Sequence, residues 1–283
     1  MRFTKMQGAG NDFVVVETNS IERDWAQLTR DTSDRHYGIG SDGLLLLEPS
    51  KVADFKMRVF NNDGTEAEAC GNGIRCLVRY FVEKRGGYIN EVTVETLAGI
   101  RKANLLKTGK ETRVQVSMGK PQLEAKDIPV KTEVCEGKPL YIKSMISCPV
   151  AVDGKKLNLS LVSMGNPHAI HFSEKPVSEF PLPQIGPMVE THKIFPKHTN
   201  FEVVRVLSRK ELEARVWEKG VGETLACGSG ASGLTVAARL HGYVDSKVEV
   251  KLPGGTLGIE WDGVGEVFLS GPAETVFTGE WPD

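Results

Sequence analysis

Glu68-Ala69-Cys70-Gly71-Asn72-Gly73-Ile74 and Leu225-Ala226-Cys227-Gly228-Ser229-Gly230-Ala231 carry one phrase twice, Ala-Cys-Gly-x-Gly, once in each half of the chain. Each copy runs on into an apolar stretch of helical character, Ile74 to Val82 and Ala231 to Leu240. The matching extends outward at nearly constant spacing. Val59-Phe60-Asn61 lines up with Val216-Trp217-Glu218 at the cysteines' own offset of 157. Gly10-Asn11-Asp12-Phe13-Val14-Val15 follows Gly165-Asn166-Pro167-His168-Ala169-Ile170 at an offset of 155. Val92-Thr93-Val94-Glu95 matches Val248-Glu249-Val250-Lys251, and Val114-Gln115-Val116-Ser117 matches Val267-Phe268-Leu269-Ser270. Collinear matches in one order mean an internal duplication, with a period too long for a solenoid. Each copy is therefore expected to be a domain.

The 283 residues agree with two domains of ordinary size. A hydrophobic fraction of 40% and a charged fraction of 25% are those of a globular protein. The net charge of −2 argues against a nucleic-acid or anionic-membrane partner. No apolar run is long enough to span a bilayer, and Met1-Arg2-Phe3-Thr4-Lys5 lacks a signal-peptide core. The five cysteines, 70, 76, 135, 148 and 227, are odd in number in a chain that needs no staples, so reduced thiols in the cytoplasm are expected.

Phe13 to Glu17 and Gly43 to Glu48 read as buried strands, and Phe55 to Phe60 as a half-exposed one closed by the turn Asn61-Asn62-Asp63-Gly64. Leu161 to Met164, Phe201 to Val206 and Leu212 to Trp217 read as strands of the second half. Ile74, Leu77, Val78, Phe81 and Val82 have helical spacing, and the helix after Cys227 is small and apolar enough to run through a core. Each half is thus strand-rich with one buried helix. The Pro-containing stretches Pro121 to Pro129 and Lys175 to Pro187 read as connections, with the domain boundary near the first.

A thiol at a helix start meets the positive end of the helix dipole, which favours thiolate. Two in matched settings suggest a pair of acid–base groups serving opposite faces of one carbon, as inversion of a centre requires. Cys76 lies on the helix after Cys70 and reads as core, while Cys135 and Cys148 have no comparable setting. No CxxC pair or His/Cys cluster at ligand spacing occurs, so no metal site is assigned. Gly8-x-Gly10 lacks the third glycine and helix of a dinucleotide site.

With these motifs in hand, the chain resembles the diaminopimelate epimerases, cofactor-independent amino-acid isomerases of lysine and cell-wall precursor synthesis. The resemblance rests on Gly8-Ala9-Gly10-Asn11-Asp12-Phe13, Asp34-Arg35-His36-Tyr37-Gly38-Ile39-Gly40, Asn61-Asn62-Asp63-Gly64 and Cys70-Gly71-Asn72-Gly73. It continues through Met164-Gly165-Asn166-Pro167-His168-Ala169 and the run from Glu218-Lys219-Gly220 to Cys227-Gly228-Ser229-Gly230. It implies an α+β fold of two pseudo-symmetric domains, each a mixed barrel-like sheet around a central helix, with the active site in the interdomain cleft. The domains implied are 1–121, joined by a returning strand at 272–283, and 122–271. As catalytic residues it implies Cys70 and Cys227, with His168 and Glu218 poising the thiols. For the substrate it implies Asn11, Asn61, Asn166 and Asn200 around the distal amino-acid group, and Glu218 and Lys219 beside it. Gly71, Asn72, Gly228 and Ser229 would offer helix-end N–H groups to the α-carboxylate. A small-molecule substrate, diaminopimelate, no cofactor and a homodimer are expected.

Two positions depart from the pattern. Gln7 stands where the family usually has His. Lys219 stands where it usually has Arg, which keeps the charge on the substrate's distal carboxylate and loses the two-pronged donor. Other readings compete: a proline or hydroxyproline type of racemase on the same fold, a thiol–disulfide oxidoreductase using Cys70 and Cys227, and a non-catalytic binding relative. The last predicts loss of one thiol, and both are present.

Overall fold

The structure, a computed structural model, describes residues 1–19, 23–68, 70–86, 91–108 and 111–282. Ala69 of the first phrase and Asp283 of the expected returning strand lie outside the described residues. The chain divides into two compact units, Met1–Ser117 with the stretch from Ser270 onward, and Met118–Leu269. Four α-helices are described: α1 (Trp25–Ser33), α2 (Gly71–Arg85), α3 (Leu182–Glu190) and α4 (Gly228–Leu240). None of the described helices is long and apolar enough to cross a membrane.

In the first unit Arg2–Gly8 pairs antiparallel with both Asn11–Glu17 and Glu274–Glu280. Asn11–Glu17 then lies parallel to Gly43–Glu48, which is antiparallel to Phe55–Asn61. Phe55–Asn61 meets Glu91–Thr96 in parallel, and Gly99–Thr108 and Glu111–Ser117 follow as antiparallel neighbours. α2 packs against this sheet along its length, because Ile74, Leu77, Val78 and Phe81 recur on its inward face and are buried. Full burial of each such side chain contributes about 1.5–3 kcal/mol. Gly86, in the left-handed conformation at φ 64°, ends the helix.

The second unit repeats this pairing strand for strand. Lys155–Ser163 is antiparallel to Pro167–Phe172, which is parallel to Asn200–Ser208; that strand is antiparallel to Glu211–Glu218. Glu211–Glu218 is parallel to Lys247–Leu252, whose antiparallel neighbour is Gly255–Glu260. α4 takes the place of α2, and its Ala231, Leu234, Val236, Ala237 and Ala238 are buried as the small-residue pattern required. The duplication read from the sequence is thus a duplication of topology.

Two expectations need correction. Lys175 to Pro187 is more than a connection: it holds a 3-10 turn at Val177–Glu179 and the start of α3. Pro183 falls in the first turn, where its missing N–H costs nothing. Leu182, Ile185 and Val189 bury one face of α3 in the core of this unit. The second correction concerns the thiols, because Cys135 and Cys148 form a disulfide with Cα atoms 5.8 Å apart. Cys135 follows the 3-10 turn Thr132–Val134, and Glu136 N–H to Pro149 O at 2.8 Å holds that segment beside the strand Met145–Val152. This adjacency comes from tertiary packing, which a 13-residue spacing does not announce.

Candidate active site

Cys70 and Cys227 are the N-cap residues of α2 and α4, with backbone angles of −140°, 115° and −120°, 119°. Each sulfur accepts the N–H of the residue three positions on, Gly73 and Gly230, at 3.4 Å. Glycine leaves room for a buried side chain at both places. A Cβ on Gly73 would lie 2.8 Å from Leu45 Cδ2, and one on Gly230 would lie 2.9 Å from Glu202 Oε1. Gly71 and Gly228 open the helices, so Asn72 and Ser229 lie in the first turns, where N–H groups point out of the helix end.

Around Cys70 the sheet supplies Asn11. Its Oδ1 accepts from Asn72 Nδ2 at 3.0 Å, and Cys70 Sγ lies 3.9 Å away. Asn11 Nδ2 in turn donates to Asp42 Oδ2 at 2.7 Å, and Arg35 bridges Asp42 to Asp12. Asp12 also takes the buried Lys5. Burial opposes the Asp12 carboxylate, but hydrogen bonds and charge from Arg35 and Lys5 prevail and hold its pKa low. Arg75 is fully buried; its Nη1 donates to Asn72 Oδ1 at 2.8 Å and its Nε to Pro272 O at 3.1 Å. Burial draws its pKa down to about 10. Cys76, also fully buried, is pushed up to about 12 and stays a thiol.

Around Cys227 a line of polar groups runs inward. Ser229 Oγ lies 3.5 Å from Cys227 Sγ and accepts from Asn166 Nδ2 at 3.4 Å. Asn166 Oδ1 is 3.0 Å from His168 Nε2, and His168 Nδ1 is 2.6 Å from Glu202 Oε1. With both ring nitrogens engaged, the route from His168 to a thiol passes through Asn166 and Ser229. Glu218 accepts from Thr224 Oγ1. Burial, then the negative charge of Glu218, pushes the Cys227 thiol well above its usual value; Ser229 and the Gly230 N–H pull the other way. At Cys227 burial works against the thiolate that a helix start favours.

The asparagines divide. Asn11 and Asn166 lie beside the capping cysteines as described. Asn61 is exposed and donates to Thr65 Oγ1 at 3.0 Å. Asn200 is buried, with Nδ2 on Pro167 O at 2.8 Å and Oδ1 accepting Lys219 N–H at 2.9 Å. Lys219 itself is exposed. Sequence reasoning missed Asp42, Arg75 and Glu202. Arg75 sits one turn past Cys70 among apolar neighbours, which is the signal that was available.

The diaminopimelate epimerase family model matches residues 3–124 and 160–276. The chain belongs to this family. The diaminopimelate epimerase of Carboxydothermus hydrogenoformans is 46% identical over 99% of both chains. That of Acetivibrio thermocellus is 48% identical over 99% of this chain and 98% of its own. Among solved structures, a hydroxyproline epimerase from Agrobacterium vitis superposes with a TM-score of 0.69 at 14% identity, covering 99% of this chain and 91% of the other. At that identity the likeness shows the fold, and the epimerase family supplies the chemistry.

Proposed function

We propose that this chain interconverts LL- and meso-diaminopimelate by two-base proton transfer at the α-carbon. The observation that carries the reading is the matched capping geometry of Cys70 and Cys227, one thiol per repeat. One thiol removes the α-proton, the other returns a proton, and the roles exchange with direction. The enediolate that forms between these steps is held by first-turn N–H groups of Gly71, Asn72, Gly228 and Ser229. Cys227, protonated by virtue of its burial, is the proton donor at rest. Glu218, whose charge acts on Cys227, poises this thiol. His168 tunes Cys227 through Asn166 and Ser229. Asn11, Asn61, Asn166, Asn200 and Lys219 hold the substrate's distal amino-acid group. No organic cofactor enters the scheme.

We assign the enzyme to the cytoplasm as a homodimer in lysine and peptidoglycan precursor synthesis. The Cys135–Cys148 bond involves neither capping cysteine, so it lends no support to thiol–disulfide exchange. The test is incubation with LL-diaminopimelate in heavy water without added cofactor. α-Deuteration with appearance of the meso isomer is expected; an unexchanged substrate at full protein concentration sinks the proposal.

A further inference from the structure

The two repeats place different residues behind their capping cysteines. Phe13 pairs with Gly43 as His168 pairs with Asn200, so two residues further along, Leu45 occupies the position of Glu202. The glycine contacts agree, because Gly73 faces Leu45 where Gly230 faces Glu202. In the first unit this pair of positions is apolar and buried, Phe13 and Leu45. In the second it is His168 and Glu202, both with no solvent exposure, joined at 2.6 Å. The fold is thus satisfied by an apolar pair, and a buried carboxyl beside an imidazole is a cost that packing does not require. Glu202 Oε2 has no hydrogen-bond partner among the described residues, which adds to that cost.

We propose that Glu202 is a positioning residue that fixes His168 so that Nε2–H points at Asn166 and the line Asn166–Ser229 donates a hydroxyl hydrogen bond to Cys227 Sγ. The inference rests on the reading of Cys227 as a proton-transfer group. The hydrogen bonds fix the direction of the line. Asn166 Oδ1 can only accept, so its contact with His168 needs a proton on Nε2, and the further proton between Glu202 Oε1 and His168 Nδ1 leaves Nε2–H in place on whichever of the two it sits. Nε2–H then donates to Asn166 Oδ1, which turns the Asn166 amide N–H toward Ser229 Oγ. A serine hydroxyl already accepting is free to donate its own hydrogen bond to sulfur. That bond strengthens when Cys227 has given up its proton and carries negative charge. No proton leaves the line in this scheme: Glu202 and His168 set its polarity, and the transferred proton is the thiol's own.

The experiment uses the full chain labelled with ¹⁵N-histidine, with kinetics on diaminopimelate. Wild type should show His168 Nε2 protonated at neutral pH and one imidazole proton far downfield from the short Nδ1 bond. Glu202→Gln should lose that downfield proton and lower kcat at least tenfold with KM within twofold. The double variant His168→Phe, Glu202→Leu, which copies the first repeat, should fold normally and be equally slow. An unprotonated Nε2 in wild type, or wild-type kcat in either variant, overturns the proposal. A wild type that binds but never turns over diaminopimelate would defeat the functional reading instead, and the histidine spectrum would still decide the role of Glu202.

Discussion

Asn200 Oδ1 accepts the backbone N–H of Lys219 at 2.9 Å, so this asparagine fixes where the lysine leaves its strand. With Nδ2 on Pro167 O as well, one amide proton remains for a substrate. Asn200 and Lys219 should therefore act as a unit. Lys219→Ala is expected to raise KM for diaminopimelate, Asn200→Ala to raise it in the same direction, and the pair together to do little more than either. Lys219→Arg should keep or lower KM with kcat nearly unchanged, since a guanidinium adds a second donor far from the reacting carbon. A double-mutant cycle reads the coupling. Additive losses would separate the two residues.

Cys70→Ala and Cys227→Ala should each abolish epimerisation while leaving the circular dichroism spectrum in place. General acid–base groups contribute about 10² to 10⁴ in rate, and loss of either member of a two-base pair should fall near the top of that range. Turnover within a few-fold of wild type in either variant would refute the two-thiol scheme.

Alkylation should separate the three free cysteines. Cys70 is half-buried, whereas Cys227 and Cys76 are buried, so iodoacetamide should reach Cys70 first. A thiol whose pKa is raised is neutral at pH 7, and its reactive fraction grows about tenfold per pH unit until that pKa is reached. Labelling of Cys227 should thus still be climbing at pH 9, and Cys76 should stay unlabelled throughout. Mass spectrometry of peptides across pH 7–9 checks this; a plateau for Cys227 below pH 8 would contradict the burial argument.

The paired phrases at Cys70 and Cys227 made the duplication, both central helices and the capping thiols legible, because caps and helical periodicity are local properties. Glu202 was not legible. In Phe201-Glu202-Val203-Val204 a glutamate in an alternating strand reads as solvent-facing, yet this strand is covered on both faces. Asp42 and Lys5 were hidden for a related reason, since their value lies in partners 30 or more residues away, Asp12 N–H and Gly40 O respectively. The prolines of α3 disguised a helix: Pro183 falls in the first turn, which tolerates it, and Pro187 lies inside, where the helix's core contacts offset it.

The network behind Asn11 gives a stability prediction with a definite pH dependence. Lys5 is buried against Asp12, and Asp12 is also held by Arg35. Lys5→Met leaves a partly buried carboxylate with one cation fewer. Because Arg35 remains, the loss should be about 2 kcal/mol, below the ~3–5 kcal/mol seen when a fully buried pair is broken. The sign follows from the lowered pKa of Asp12, whose ordinary value is 3.8. A carboxyl with a depressed folded pKa stabilises the fold above its unfolded pKa and loses that contribution as pH falls through the folded value. The gap between wild type and Lys5→Met should therefore be constant at pH 6–8 and shrink as the medium is acidified below pH 4. Since Asp42 holds Asn11 and is tied to Asp12 through Arg35, the variant should also lose some turnover at neutral pH. Urea denaturation at several pH values, with kinetics at pH 7.5, measures both. A gap that widens toward acid would place the charge effect on another group.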